Sequence, residues 1–459
     1  MAAPGGQGAT FGRYHWLGKE PARTSEAAGT AREVHTTMAQ IAVIGAGYVG
    51  LTTAACFSQL GHDVVCADID ERRVAALSKG EVPIVEAGLD AMVQENLETG
   101  RLRFVVGAEN AARTAEFAYL CVPTPQGDDG SADLSYIETA ARQIGRVLPG
   151  EAVVINKSTV PVGSTRAVER VLGRDDVVVV SNPEFLREGS AVHDFLNPDR
   201  IVIGSDDQSA AVRVASLYIG VTAPIIVTDP PSAETIKYAS NAFLATKISF
   251  VNAIAAVCEA VGADVKDVVL GMGYDKRIGH EFLKPGPGWG GSCFPKDSQA
   301  LVHIADSAGY NFDLLRGVIA VNEEQFHRVT EKVASAVGGS LDGTKVAVWG
   351  ITFKARTDDT RDSPALRIIE LLGRQGADVR AYDPAVKGPI AGIEPAADPY
   401  SVCDGADVLV VLTEWDEFRW LDFDKVAGLM ATPRVVDARN LLDKHALERR
   451  RFTYTGIGR

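Results

Sequence analysis

Apolar residues along this chain follow two alternating patterns. Short runs rich in β-branched side chains, at 41–44, 64–67, 118–122, 153–155 and 177–180, are separated by longer stretches with the three-to-four-residue spacing of helices. Strands and helices in that alternation predict a doubly wound parallel sheet. From 232 to 261 the pattern changes to one long helix, with Glu234 in its first turn, Gly262 past its end and apolar residues around most of its circumference. Such a helix is expected to be buried between domains.

After Gly343 the alternation returns. "KVAVWG", a helix near 366–374, Gly376 and "DVRAYDP" repeat the order of "IAVIGAG", a helix ending at Leu60, Gly61 and "DVVCADID". The two blocks read as degenerate copies of one βαβ unit, although Gly350 to Asp383 spans 33 positions where Gly45 to Asp68 spans 23. The expected fold is α/β: two Rossmann-like, doubly wound parallel-sheet domains joined by a long buried helix. The expected boundaries are 38–230, 231–335 and 336–459. Residues 1–37, rich in Gly, Ala and Thr without periodicity, read as a disordered N-terminal extension.

The first copy alone carries G-x-G-x-x-G, at Gly45, Gly47 and Gly50 between a strand and a helix, with Tyr48 and Val49 inside the turn. Glycines at that spacing allow a tight turn, close approach to a pyrophosphate, and close helix-on-strand packing, while helix N–H groups face the anion. The next strand ends in Asp68, whose carboxylate suits the adenine ribose hydroxyls and repels a 2′-phosphate, so NAD is favoured over NADP. Arg72 and Arg73 pull the other way, as candidate phosphate ligands or as stacking partners of the adenine.

The formal net charge of −14 argues against bulk binding to nucleic acid or an anionic membrane surface. With no signal-peptide pattern and no apolar run of about 18 residues, a cytoplasmic protein is expected. Six scattered cysteines without a C-x-x-C pair argue against a metal site or a disulfide framework.

In an open α/β sheet the chemistry sits at the carboxyl ends of strands. Three strands end in polar groups: Thr124, then Lys157, Ser158 and Thr159, then Glu184 and Glu188 in "NPEFLREG". The bland alternative makes Asn182 an N-cap and Glu184 a first-turn acid. Lys237 and Asn241, four apart on the long helix, face the same way, and a cation in an apolar helix needs a partner unless it snorkels to solvent. Cys293 stands in "GPGWGGSCFPKD" just before a helix start, where the positive dipole end favours thiolate. Glycines 286, 288, 290 and 291 are expected to leave room for a substrate. The other cysteines, at 56, 66, 121, 258 and 403, read as small core residues. A thiol beside a nicotinamide site can add to an aldehyde, and the thiohemiacetal can lose hydride to give a thioester.

These segments, with "KYASNAFLATK", "RIGHEFLKPGPGWGGSCFPKD" and "GITFKARTDDTRDSP" in order over about 41–440, resemble the UDP-glucose/GDP-mannose dehydrogenase family. The resemblance implies NAD-dependent, two-step oxidation of a nucleotide sugar at C6, with UDP-glucose expected and GDP-mannose or UDP-N-acetylmannosamine as alternatives. It implies Cys293 as nucleophile, Lys237, Asn241 and Asp297 for the alcohol proton and the oxyanion, and Glu184 with Thr124 for hydrolytic water. The cofactor would also meet Arg73, Thr124, Thr159, Glu188, Lys296 and Arg361. The sugar nucleotide would meet Glu184, Phe185 and Leu186, Lys237 and Asn241, Phe282, Leu283 and Lys284, Gly290, Phe353 and Lys354. Arg277 would reach a neighbouring subunit's site in a homodimer. Two rivals remain at this stage: a single-oxidation β-hydroxyacid dehydrogenase, which shares Lys-x-x-x-Asn but has no use for Cys293, and a nonenzymatic NAD-binding regulator.

Overall fold

The computed structural model describes residues 38–125, 127 and 132–459; the extension read over 1–37 lies outside them. The first sheet contains β1 (Gln40–Ile44), β2 (Asp63–Asp68), β3 (Leu102–Val106), β4 (Phe117–Leu120), β5 (Val153–Asn156), β6 (Val178–Ser181), β7 (Ile201–Gly204) and β8 (Ile225–Thr228). Their order is β3-β2-β1-β4-β5-β6-β7-β8. All neighbours are parallel except β6 and β7, which meet antiparallel through the single pair Ser181 and Gly204. The apolar runs are continuous because both faces are covered. Ile41 and Val43 pack in one layer with Leu51 and Phe57, while Ala42 and Ile44 pack in the other with Ile137 and Ile144.

The second sheet holds β9 (Lys345–Trp349), β10 (Asp378–Tyr382), β11 (Val408–Val411), β12 (Arg434–Asp437) and β13 (Thr453–Gly456), in the order β10-β9-β11-β12-β13. That order repeats β2-β1-β4-β5-β6. The likeness extends to single bonds: Gly45 N–H donates to Ala67 at 2.7 Å after β1, and Gly350 N–H to Tyr382 at 2.8 Å after β9. Here too Val346 and Val348 face one core, and Ala347 and Trp349 the other.

The long helix runs Pro230–Val261, capped by the Asp229 side chain and ended by left-handed Gly262. Glu234 does not serve its own helix. It accepts from the N–H groups of Gly163 (2.6 Å) and Thr165 (2.9 Å), capping the helix Ser164–Leu172 beside β6. Among the described helices this one is long and apolar enough to cross a membrane by length and composition. Its buried face nevertheless carries Glu234, Lys237, Asn241 and Asn252, each bonded to another part of the chain. The opposite face differs from a helix covered all round. Phe243, Phe250 and Val257, seven residues apart, and Val261 are exposed there.

Candidate active site

The turn after β1 is built from what a side chain would hit. A Cβ on Gly45, where φ is 102°, would lie 2.7 Å from the Cys121 carbonyl oxygen, and one on Gly50 would lie 1.8 Å from that of Gly45. Around Gly47 a Cβ would meet nothing within 4 Å. The turn is therefore closed against the sheet and open on its outer side, where helix Tyr48–Gln59 presents its N-terminus. That shape fits a dinucleotide's pyrophosphate. Asp68 ends β2 with its carboxylate accepting from Ala46 N–H (2.9 Å), Asp70 N–H (3.0 Å) and Arg73 (3.1 Å). Burial pushes its pKa up, but those donors outweigh it and hold the carboxyl below its usual range. Arg73 thus pairs with Asp68 through one nitrogen of its half-exposed guanidinium. The Tyr48 hydroxyl is taken up by Glu86 and by Gly189 N–H, joining the first helix to the loop that carries Glu188. Val49 packs against the first core.

The segment after β6 forms no helix until Ala191, so the capping role for Asn182 and Glu184 falls away. Asn182 instead accepts from Lys157 (3.2 Å) and Tyr218 (2.6 Å), which places Lys157 in a buried polar box. Glu184 turns to the long helix. Lys237 Nζ donates to its carboxylate and to its backbone carbonyl, both at 2.7 Å, with each side chain 5% exposed. Burial opposes both charges, yet their attraction wins: Glu184 is held below the usual carboxylate range and Lys237 above the usual lysine range, the latter aided by Cys293 and Asp297. The second Glu184 oxygen accepts from Leu186 N–H at 2.6 Å. Phe185 lies under Arg200, 3.6 Å from guanidinium to ring centre, and 5.5 Å from the Lys237 ammonium.

One turn further along the helix, Asn241 donates to Asp297 at 2.6 Å, and Lys296 pairs with the other oxygen of the same carboxylate, which is fully buried. Asp297 lies in the first turn of helix Phe294–Ser307, whose cap is Cys293. The thiol feels the charges of Lys237, Glu184, Asp297 and Lys296. The helix end does not win here: burial pushes the thiol pKa up, and Glu184 and Asp297 oppose the cations, so the resting group is a neutral thiol. The other five cysteines are buried core residues, and all six are free.

The glycine-rich loop before Cys293 does not leave room for a ligand at Gly288, Gly290 and Gly291, whereas a Cβ at Gly286 would come no nearer than 3.4 Å to its neighbours. A Cβ on Gly290 would lie 1.9 Å from the Asp362 carbonyl oxygen, one on Gly291 2.8 Å from the Phe353 ring, and one on Gly288 2.6 Å from Phe326. The glycines let this loop pack between helix Asp313–Val337 and the loop after β9. Its backbone is held by buried amides that the hydrophobic pattern did not single out. Asn252 and Gln325 bond Gly286 (2.8 and 2.7 Å), and Asn322 makes a reciprocal pair with the Trp289 backbone (2.8 and 2.9 Å). Amides inside otherwise apolar helix faces are the signal that would have found them.

Glu188 gathers three segments. It accepts from Ser292 (3.1 Å), Thr357 (3.3 Å) and Arg361 (3.3 Å), and its carboxyl is within hydrogen-bonding reach of Asp359. Burial, then the Asp359 charge, push it up to about 7. Arg361 also grips Asp359 at 2.6 Å, so Glu188, Lys296 and Arg361 all adjoin the thiol's surroundings. Thr124 donates to the Thr159 carbonyl at 2.8 Å, bracing two strand ends. Phe282, with φ 61°, sets its ring 6.3 Å from Phe294, Leu283 is buried, and half-buried Lys354 lies 5.4 Å from the Phe353 ring. Lys284 is exposed, and Arg277 is exposed and held by Asp275 at 2.6 Å. Sequence reasoning named Lys354 and Arg361 in "KARTDDTRD" but missed Ser292, Thr357 and Asp359, which gain a role only where the fold sets them against Glu188.

Three family models match successive stretches: the NAD binding domain of the UDP-glucose/GDP-mannose dehydrogenase family over 39–222, its central domain over 231–324 and its UDP binding domain over 347–444. The chain belongs to that family and binds NAD. It is 47% identical over 435 residues to UDP-glucose 6-dehydrogenase of Rhizobium meliloti (strain 1021), covering 92% of this chain and 99% of the relative. It is 46% identical over 432 residues to UDP-glucose 6-dehydrogenase TuaD of Bacillus subtilis (strain 168), covering 92% and 94%. A solved UDP-glucose dehydrogenase from Pyrobaculum islandicum superposes with a TM-score of 0.84 at 38% identity, covering 93% of this chain and 99% of that one.

Proposed function

We propose that this chain oxidises UDP-glucose twice at C6, giving UDP-glucuronate through a thiohemiacetal and thioester on Cys293. The observation that carries the reading is one thiol set beside two buried pairs, Lys237 with Glu184 and Asn241 with Asp297. Bound in the turn at Gly45, Gly47 and Gly50, with Asp68 toward the ribose, NAD supplies the hydride acceptor for both oxidations.

Lys237 spends two of its three N–H donors on Glu184, which leaves one for the sugar C6 oxygen. Charged and with Asn241 at its side, it stabilises oxygen anion at that position. Asp297, fixed by Asn241 and Lys296, is the carboxylate placed to take the alcohol proton. Glu184 fixes the Lys237 ammonium and orders hydrolytic water beside Thr124. Phe185, Leu186, Phe282, Leu283, Phe353 and Lys354 surround the sugar nucleotide, and Glu188, Lys296 and Arg361 meet the cofactor side.

The chain divides at 38–230, 231–335 and 336–459, a reading supported by the separate hydrophobic layers of the two sheets. It works as a homodimer in the reducing cytoplasm. What supports the dimer is the exposed stripe of Phe243, Phe250, Val257 and Val261, and what supports the compartment is six free thiols. NADH released per sugar tests the activity: two per UDP-glucose are expected. One per sugar, or greater catalytic efficiency with GDP-mannose, would overturn the assignment.

A further inference from the structure

We propose that Ser292 is a catalytic residue that carries the Cys293 proton to Glu188, forming the thiolate for attack. The geometry sets the direction of the chain. Ser292 Oγ lies 3.1 Å from Glu188 Oε1 and 3.6 Å from Cys293 Sγ. A hydroxyl has one hydrogen, and a carboxylate oxygen can only accept; Ser292 therefore donates to Glu188 and accepts from the thiol.

The other charged neighbours of the sulfur are not available for its proton. Lys237 already carries its proton, and Glu184 is held below the usual carboxylate range by that ammonium. Asp297, held by Asn241 and Lys296, is the group assigned above to the alcohol proton and so is already taken up when the thiol must ionise. Glu188 differs: burial and the Asp359 carboxyl make it a better base than an ordinary carboxylate, so transfer from the thiol is less uphill than it would be to an unperturbed acid. Facing Glu188 are Asp359 and Arg361, with Lys354 and Tyr48 also within electrostatic range. Facing the thiol are Lys237, Glu184, Asp297, Lys296 and Arg361.

The step balances. The S–H proton passes to Ser292 Oγ as the Ser292 proton passes to Glu188 Oε1, and the electron pair stays on sulfur. The reversed chain then donates from Ser292 to thiolate and from Glu188 to Ser292. Resting on the aldehyde intermediate of the reading above, the sulfur pair forms the S–C bond while the carbonyl π pair moves to oxygen, opposite Lys237.

Iodoacetamide alkylation of Cys293 in the full chain, without substrate and followed by peptide mass spectrometry from pH 5.5 to 10, tests this. Wild type should rise to a plateau through neutral pH, as Glu188 ionises, and rise again where the thiol loses its proton to solvent. Ser292→Ala removes a hydrogen bond to a charged group, worth about 1.5–3 kcal/mol, so its plateau should fall roughly 10- to 100-fold. Glu188→Gln should lose the first rise altogether. Circular dichroism melts identify a variant that has not folded, and the second variant then decides. A Ser292→Ala plateau within about twofold of wild type, or a first rise that persists in Glu188→Gln, would overturn the proposal. The assay needs no sugar nucleotide, so absence of turnover with UDP-glucose would reject the substrate reading and leave this result standing.

Discussion

Replacing Lys237 by Met removes the cation from a pair in which both side chains are 5% exposed and 2.7 Å apart, while nearly keeping the volume. Breaking a buried pair strands the remaining charge and costs about 3–5 kcal/mol. The cost should depend on pH in a way that a packing defect would not. In wild type, Glu184 is held below its ordinary range, so its contribution is present above the unfolded value near pH 4.3 and is lost only as pH falls through the lower folded value. Lys237 is held above its ordinary range, so its contribution is full below about pH 10.4 and is lost as pH rises through the folded value. Between pH 5 and 8 the native pair is therefore constant. Without Lys237, burial is opposed only by the Leu186 N–H and the Lys157 charge, so the Glu184 pKa should rise and the variant should lose stability as pH rises through that raised value. Urea midpoints at pH 5 and pH 8 should show the variant close to wild type at the lower pH and well below it at the higher. The double variant Lys237→Met/Glu184→Gln should recover most of the stability but not turnover, which should stay about 10²- to 10⁴-fold down. Equal losses at both pH values would refute the buried-charge argument, and normal turnover at saturating substrate would remove Lys237 from the chemistry.

Cys293→Ala should abolish acid formation while leaving the melting curve near wild type; mutant protein that still yields uronic acid at a comparable rate would exclude the thioester route. Asp68→Asn should narrow the preference for NAD over NADP by freeing Arg73, read as the ratio of kcat/KM for the two cofactors, and an unchanged ratio would contradict that pairing. Phe243→Asp with Phe250→Asp should shift the chain to monomer in sedimentation if that stripe is the subunit interface. Gly290→Ala forces a methyl to within 1.9 Å of the Asp362 carbonyl oxygen and should cost roughly 1–3 kcal/mol or more by overpacking, with activity falling as the cysteine loop is displaced.

Much of the fold was legible because its signals are local. The strand runs are apolar on both faces, and the Gly45–Gly50 turn and Asp68 lie within one βα unit, so short stretches of sequence carry them. Lys237, Asn241 and Cys293 stood out for a related reason: each breaks a pattern around it. What stayed hidden depends on distant segments meeting. Ser292 and Asp359 are ordinary polar residues until Glu188 comes between them, 104 residues from one in sequence. The glycines before Cys293 invite a reading as open space, because sequence shows the missing side chains and not the Asp362 and Phe353 atoms that fill their places. The thiol's raised pKa was equally out of reach, since a helix start is visible in sequence and the burial that outweighs it is not.

The two copies of the βαβ unit show how one strand end can be put to opposite uses. Asp68 and Asp383 follow equivalent strands, yet Asp383 is 1% exposed and accepts from Ile351 N–H (2.7 Å), Thr352 N–H (3.0 Å), the Thr352 hydroxyl (2.9 Å) and Trp415 (3.1 Å). With Ala385 N–H on the other oxygen (2.9 Å), a carboxylate that meets five donors from its own chain has little capacity left for a ribose. A Cβ on Gly350 would lie 2.3 Å from Thr413, so that turn also closes on its sheet, but the longer loop that follows bends over Asp383 where the first copy leaves Gly47 open. The extra positions between Gly350 and Asp383 include Phe353, Lys354, Thr357, Asp359 and Arg361, the residues that reach Glu188 and the cysteine loop. The second copy has thus given up the geometry of a dinucleotide turn, and the same insertion supplies the far wall of the site in the first.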